Sequence, residues 1–540
     1  MVETASNIWR DEVSPGVPHK PIKAQIREWG ADVEARIGAV EVGAGGVAGM
    51  AVYDLDTVEE INTYLGVAAA AATQVVSILD YIDTAEHASI AAHTSTFDCK
   101  ADIEQAITAL GSTGGSIYFP PGRYNISAKI SIAANGITLI GAGRGFGTYG
   151  TVLRCTHATV GDILEVSGSN GGGITNMAFT CANGVTSGVA ISLIGNCFEY
   201  SLENLAMARV FSGIDVSRAT ETRITRVHIR EIFGTFGIRY GNPTSAGCYG
   251  LTLESVTTDN PIRAATYGTR RGNWATSTAY SLGDFAVANG HIYHCTTAGT
   301  SAGAGSGPSG FGSTPYDGTI TDGTAVWKFY CSNALIWLVY DSFAYSLRII
   351  SCAFLNGAYG IFMRDTQNTG TSAPWWIHGF DVEVDHNYYY GVLLNNGEGF
   401  FITASWIGSC LTGSGVVYGA GWSGESVITA TRIVGNWQHG VMISGGVSAD
   451  ISHNVIGANS QGGSGTYHGI AVSANVNEFT IIGNKVGDLH SLVEKQGYGI
   501  LVNAGTSNKY IISGNRCHDN VTGTVSDGGT GVTKSVTGNI

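Results

Sequence analysis

The chain has 540 residues, with 77 glycines against 10 prolines, and charged residues make up 13%, about half the usual globular share. Its 28 Lys and Arg against 42 Asp and Glu leave a net charge of −14, which argues against a nucleic-acid partner, because phosphate binding needs basic patches. Such a composition suits many short turns and packed strands.

Met1–Asp11 has no basic stretch followed by an apolar run, so no secretory signal is read. Nor does any apolar run reach the roughly 18 residues that span a bilayer, so the expectation is a soluble, cytoplasmically made protein without membrane insertion. The 10 cysteines are scattered singly with no zinc-like spacing and read as small buried apolar residues; neither a metal nor a cofactor is predicted.

The first predicted element is a helix from Pro21 to Val40, where Ile22, Ile26, Trp29, Val33, Ile37 and Val40 recur at steps of three or four. Gly43, Gly45, Gly46 and Gly49 break the pattern. A second helix opens at Asp56, with Glu59 at capping-box spacing. Its Val58, Ile61, Leu65, Ala68, Ala72, Val75, Leu79 and Ile82 alternate steps of three and four, which predicts a coiled-coil seam; an amphipathic helix docked on its own chain is the alternative.

From about residue 96 a repeat takes over. A glycine followed by apolar residues recurs at Gly188, Gly213, Gly237, Gly360, Gly391, Gly415, Gly440, Gly469 and Gly499, at intervals of 24 to 31 residues outside one long gap. A second strand in many units ends near Asn176, Asn204, Asn454, Asn484 or Asn515. Short β-rich segments at this period, with no helical pattern between them, predict an all-β parallel β-helix, with asparagine tolerating left-handed corners. The Leu-x-x-Leu-x-Leu signature of the rival leucine-rich repeat is absent.

Phe97-Asp98-Cys99-Lys100-Ala101-Asp102-Ile103-Glu104-Gln105-Ala106-Ile107 is followed by Gly114-Gly115-Ser116-Ile117-Tyr118-Phe119-Pro120-Pro121-Gly122-Arg123-Tyr124. Together they resemble the opening of the pectate-lyase-superfamily β-helix of bacteriophage tailspikes, although the usual Phe-Gly-Ala-x-Gly-Asp-Gly segment upstream is missing. Pro15 to Gly30 is also similar to virion-attachment leaders of phage tail proteins. The resemblance implies a right-handed β-helix and a homotrimeric tailspike or tail fibre. It also implies a virion location after assembly in the host cytoplasm, attachment of the amino terminus to a phage baseplate or tail protein, and recognition, often with depolymerisation, of a bacterial capsule or lipopolysaccharide. The heptad seam agrees with a trimer. Pectate-lyase activity is not carried over, since that family's calcium and arginine constellation finds no match here.

The long gap contains Ala288-Asn289-Gly290-His291, a strong hairpin signal, and reads as a small inserted β-domain over 265–332. Its Trp274, Tyr280, Tyr293 and Trp327 look like the pattern of small carbohydrate-binding modules attached to chitinases; alternatively these rings form the insert's core. The predicted division is a helical anchor and trimerisation region, 1–92, β-helix over 93–264 and 333–540, and the insert between.

Glycoside hydrolysis needs two carboxyl groups. Trp375-Trp376-Ile377-His378-Gly379-Phe380-Asp381-Val382-Glu383-Val384-Asp385 offers three. If Phe380, Val382 and Val384 face inward, Asp381, Glu383 and Asp385 face outward about 6.5–7 Å apart, near the inverting separation, and their mutual repulsion raises one carboxyl pKa. Trp375 and Trp376 are the candidate sugar platform. Asp341, Asp365, Glu398 and Glu425 are further acidic candidates, and the alternatives are solvated acids without function or a non-catalytic receptor-binding fibre. Gly141 to Gly145 superficially resembles a phosphate loop but opens no helix, so it reads as a coil turn.

Overall fold

The computed structural model describes residues 74–182, 185–241, 247–260, 268–310, 318–367, 373–445, 448–487 and 495–540. The helix at 21–40 and the start of the second helix lie outside these residues. At the carboxyl end of the predicted seam the structure departs from a helix. Gln74–Ser77 is a strand and Ile78–Asp80 a short 3-10 turn, so Val75, Leu79 and Ile82 do not share one helical face. The β-branched pair Val75-Val76 favours extended backbone, and Ser77 Oγ accepts the Leu79 N–H at 3.3 Å to open the turn.

Residues 76–540 form one compact unit, so the boundary read at residue 92 falls inside it. The reason is burial: Ile78, Ile82 and Ile90 are interior, and a Cβ on Gly122 in the first coil would lie 2.7 Å from Ile90 Cγ2. A helix that the repeat did not announce, Lys100–Leu110, buries Ile103, Ala106, Ile107 and Leu110. It packs on two strands of the first coil, Gly115–Phe119 and Ile130–Ile132.

Each coil contributes one strand to each of three parallel faces. The first runs Gly115–Phe119 on face A, Gly122–Ile126 on face B and Ile130–Ile132 on face C. Face B holds 13 strands stacked in chain order. Register is maintained from coil to coil, so side chains form columns along the axis. Inside face A the column runs Ile117, Leu139, Ile174, Leu202, Ile224, Leu253 and Ile349, then Gly379, then Ile402, Ile428, Ile451, Ile481 and Ile512. Nearly all are fully buried, which makes the core one long aliphatic stack.

The repeating glycine has its own cause. A Cβ on Gly415 would lie 2.8 Å from the Gly440 carbonyl oxygen, one on Gly440 2.7 Å from Gly469 O, and one on Gly469 2.7 Å from Gly499 O. These glycines form a column in which only hydrogen fits.

The insert leaves the coil between faces B and C. Strand Phe236–Tyr240 pairs directly with Ile336–Tyr340, and Cys248–Glu254 with Ala344–Ile350, so the coils continue as if the insert were absent. Asn289 and Gly290 both have positive φ in the tight turn joining Phe285–Ala288 to His291–Thr297, as the Asn-Gly pair predicts.

From the third coil on, the corner from face A to face B carries one left-handed residue per coil, among them Asn176, Asn204, Arg226, Ser255, Ser351, Asp381, Ala404 and His453. Asn176 and Asn204 do take this conformation. Asn454, Asn484 and Asn515 instead follow the corner residue and turn inward, building a buried amide ladder. Asn454 Nδ2 donates to Asn484 Oδ1 at 3.0 Å and Asn484 Nδ2 to Asn515 Oδ1 at 2.9 Å, while the Asn454 N–H donates to Asn484 Oδ1 at 2.9 Å. Removing a rung strands buried donors. Asn484→Ala should therefore destabilise the trunk by about 2–3 kcal/mol, seen as a lower denaturation midpoint, whereas Asn503→Ala at an exposed position should leave it unchanged.

Candidate functional site

On the outer side of face A, register aligns Phe198, Thr220, Tyr249, Tyr345, Trp375 and Glu398 in one axial column. The Tyr249 and Tyr345 rings stack at 4.8 Å and 13°, and Trp375 meets Tyr345 edge-on at 5.6 Å. Tyr249 is 54% exposed, Trp375 37% and Trp376 49%. Trp376 has a φ of 60°, a bulge that turns both neighbouring tryptophans outward. Gly399, one coil on, makes the space: a Cβ there would collide with the Trp376 ring. Glu398 and Glu425 are exposed beside this edge.

Sequence spacing pointed to the two tryptophans but missed Tyr249 and Tyr345. Their signal is an aromatic residue two positions before the first inward aliphatic: Tyr249 before Leu251, Tyr345 before Leu347 and Trp375 before Ile377, and those aliphatics are themselves register partners.

The corner between faces C and A is held by buried charge. Asp341, 1% exposed, accepts from the Ser342 N–H at 2.8 Å, Thr366 Oγ1 at 2.6 Å and Arg364 Nε at 3.0 Å. Burial alone would raise its pKa, but these donors hold the carboxyl below the usual range. Asp365 accepts from Ser342 Oγ at 2.8 Å, and Arg239 Nε donates to Asp215 at 3.0 Å. Asp341, saturated with donors, ties the loop after Met363 to the coil below.

The segment expected to carry three outward acids is two strands on two faces. Trp375–Phe380 lies on face A and Glu383–Asp385 on face B, with Asp381 at the corner and a φ of 54°. Phe380 consequently faces solvent, 54% exposed, instead of the core, while Val382 and Val384 are buried. Asp381 Oδ2 accepts from Ser351 Oγ at 2.9 Å, a contact between successive corners. Glu383 and Asp385 do share the outer side of face B. His386 Nδ1 lies 2.7 Å from Asp385 Oδ2; burial would raise this carboxyl, but the imidazole's hydrogen bond and charge pull it below the ordinary value. The expected repulsion-raised acid is therefore not Asp385. Trp375 stands six residues before Asp381, about 20 Å along extended backbone, so the platform lies at the far end of the face A strand from the corner, and Glu383 and Asp385 lie beyond that corner on face B.

In the insert, Tyr280 is 3% exposed and Tyr293 and Trp327 are fully buried, with Tyr280 and Trp327 packed edge-to-face at 4.7 Å. These three form the insert's core and offer no face to a sugar. Trp274 is half-buried and donates from Nε1 to Asp322 Oδ2 at 2.7 Å. The insert docks on the trunk through Tyr330, whose hydroxyl donates to the His386 carbonyl at 2.8 Å, and through Arg270, which lies 4.5 Å from the Trp437 ring centroid.

On successive coils of face C, the His439 and His468 rings lie 5.3 Å apart and tilted by 38°. His439 Nδ1 accepts the His468 N–H at 3.0 Å and His468 Nδ1 accepts the Tyr498 N–H at 3.1 Å, which fixes the neutral tautomer with hydrogen on Nε2. Burial, then His468, lowers the His439 pKa to about 4, and burial lowers that of His468. Both lie below the unfolded value of about 6.5, so the unfolded chain binds more protons in acid, and stability is lost as pH falls from about 6.5 toward 4. A melting profile should show this fall, reduced in His439→Asn/His468→Asn, whose side-chain oxygen can still accept the backbone N–H. Among the described residues no three His, Cys, Asp or Glu side chains gather as a metal site.

Residues 333–516 match the family model described as the right handed beta helix region. No curated protein matches the sequence. Among solved structures, the Azotobacter vinelandii mannuronan C-5 epimerase AlgE6 A-module is 13% identical with a TM-score of 0.50, covering 86% of this chain and 98% of that one. The AlgE4 A-module from the same organism is 12% identical with a TM-score of 0.50, covering 86% and 100%. Tailspike protein 3 of bacteriophage CBA120 is 12% identical with a TM-score of 0.42, covering 94% and 68%. With three parallel faces stacked coil on coil, and the right-handed family matched over the second part of the trunk, the chain is a right-handed parallel β-helix protein.

Proposed function

We propose that this chain is a phage tailspike or tail fibre that binds a bacterial surface polysaccharide, capsule or lipopolysaccharide, along face A and cleaves it within the chain. The observation that carries the reading is the outward aromatic column of Tyr249, Tyr345 and Trp375 with Trp376 beside it. A pyranose packs its C–H face on an aromatic ring; Tyr249 and Tyr345 turn their faces to one another, so the exposed Trp375 and Trp376 offer the stacking surface and the tyrosine edges extend it along the axis. The tailspike-like Gly-Gly-Ser-Ile-Tyr-Phe-Pro-Pro-Gly-Arg-Tyr string at 114–124 supports the assignment to a virion.

For cleavage the proposed pair is Glu383 as acid and Asp385 as base, acting on a segment of glycan that lies on face B, one corner away from the platform. They lie two residues apart on one strand, about 6.5–7 Å, with Asp385 kept ionised by His386. Asp381, by its place in the corner series, supports the backbone. The second reading, a receptor-binding fibre without catalysis, is favoured by the separation of the platform from this pair.

A homotrimer, joined to a baseplate or tail protein through the amino terminus, completes the proposal. It is supported by the heptad pattern from Val58 to Ala72 and by an outward column on face C that is apolar through seven coils: Val339, Phe362, Leu393, Val417, Met442, Ala471 and Leu501. Sedimentation should give three chains per particle, and Leu393→Asp with Val417→Asp should shift it toward monomer; an unchanged trimer would place the interface elsewhere.

Purified surface polysaccharides from a panel of bacteria, sized before and after incubation with the protein, test the activity. Shortened glycan with new reducing ends is expected, abolished by Glu383→Gln or Asp385→Asn at least about 100-fold with binding retained. Trp375→Ala should weaken binding about tenfold. Binding without any shortening selects the fibre reading.

A further inference from the structure

On the outer side of face B one axial column runs, in register, Glu383, Trp406, Arg432, Val455, Lys485 and Arg516. Its upper three charges are all basic, and all three side chains are exposed. The other outward column of these strands is Gly408, Val434, Gly457, Gly487 and His518, so the outer side of face B from Trp406 to His518 carries no acid among the described residues, and its glycines keep the floor beside the bases low. Asp519, at the corner beyond, lies 2.9 Å from His518. Acids of these coils stand on or beside face A instead, as Glu398, Glu425, Asp450 and Glu478 do. What sets the strip apart is this sorting of sign. Two bases elsewhere on these coils, Lys509 and Lys534, meet Glu478 and Asp527 at 2.8 Å. Lys485 and Arg516, by contrast, are direct register partners on adjacent strands, a placement of like charges that destabilises a sheet.

We propose that this strip of face B binds the acidic groups, carboxylate or phosphate, of the bacterial polysaccharide, with Lys485 and Arg516 sharing one group and Arg432 meeting another. The inference rests on the polysaccharide reading and adds to it the charge of the polymer and the course of its face B segment. An anion seated between Lys485 and Arg516 cancels their repulsion, so the bound state loses a destabilising contact that the free protein carries. One coil of about 4.8 Å separates the two, close enough for both to reach one group, while Arg432 stands two coils below Lys485, about 10 Å. Arg432 is held over the Trp406 ring at 5.1 Å from its centroid, which orders the guanidinium to give an oxyanion two parallel hydrogen bonds. Because Glu383, Trp406 and the three bases share one column, a glycan bound to the bases and running down the axis arrives at the carboxyl pair.

The test uses the full chain and affinity electrophoresis in the acidic surface polysaccharides of the bacterial panel, each beside its carboxyl-reduced and its phosphatase-treated form, with the panel's neutral glycans and dextran as controls. At least one acidic polymer should retard the protein, and removing its acidic groups should weaken binding about tenfold, the effective treatment telling carboxylate from phosphate. Lys485→Gln/Arg516→Gln should lower affinity for the acidic form by a similar factor, more at low salt than at high, and leave the stripped form unaffected. Arg223→Gln/Arg348→Gln, which removes the same charge from face A, should leave the acidic preference unchanged. In low salt the face B double variant should melt no lower than the parent, since it removes a repulsion. Equal binding of acidic and stripped forms, insensitivity to the face B variant, an equal loss from the face A variant, a lower melting point of the face B variant, or retention of neutral glycans alone would overturn the inference and leave the polysaccharide reading standing. Retention of no glycan in any form would overturn both.

Discussion

In-register pairing of each coil with the next is the constraint on which everything else in this molecule depends. Backbone N–H and C=O groups of one coil find their partners in its neighbours, so the rise per coil is fixed near the inter-strand spacing of about 4.8 Å. Every side-chain position is thereby repeated as a column. Inward columns become an aliphatic stack, the glycine column lets successive backbones approach, and the buried amides of Asn454, Asn484 and Asn515 bond one another in series. A substitution in such a column is felt by the coil below and the coil above, not only by its own.

The same geometry turns a modest surface preference into a linear feature. A single exposed tyrosine is unremarkable, but Tyr249 and Tyr345 stacked one coil apart, with Trp375 next, make a track along the axis. Charge follows the same rule. Asp341 and Arg364 are satisfied by one another and by neighbouring loops at the corner below the edge from which Trp375 and Trp376 project. The rigid framework and the open, binding-competent positions are thus different columns of one lattice.

Much of the architecture was legible because the columns leave traces in the sequence. The glycine at the start of many face C strands recurs since, at Gly213 and from Gly360 to Gly469, a Cβ there meets the next glycine's carbonyl, and Asn289-Gly290 announces its hairpin through two positive φ values. Less legible was anything that depends on where a face ends. Alternation alone carried Phe380 into the core and put Asp381 on a strand, because a left-handed corner shifts the phase and nothing in the Phe-Asp-Val string marks it. The aromatic track was hidden for a related reason: the insert separates Tyr249 from Tyr345 in sequence while register makes them neighbours. In the insert, the rings that resembled a sugar site proved to be what so small a sheet needs for its own interior. Between Val75 and Ile82 a heptad pattern persisted past the point where β-branched residues and a serine cap redirect the backbone.

The central claim is that the outward aromatic column of face A holds a glycan parallel to the helix axis. A crystal structure with an oligosaccharide released from a polysaccharide that the protein binds tests it most directly. The account predicts a sugar ring on Trp375 or Trp376, with the chain running along the axis past the edges of Tyr345 and Tyr249. An oligosaccharide bound only on face C, on the insert, or across the strands of face A would contradict it.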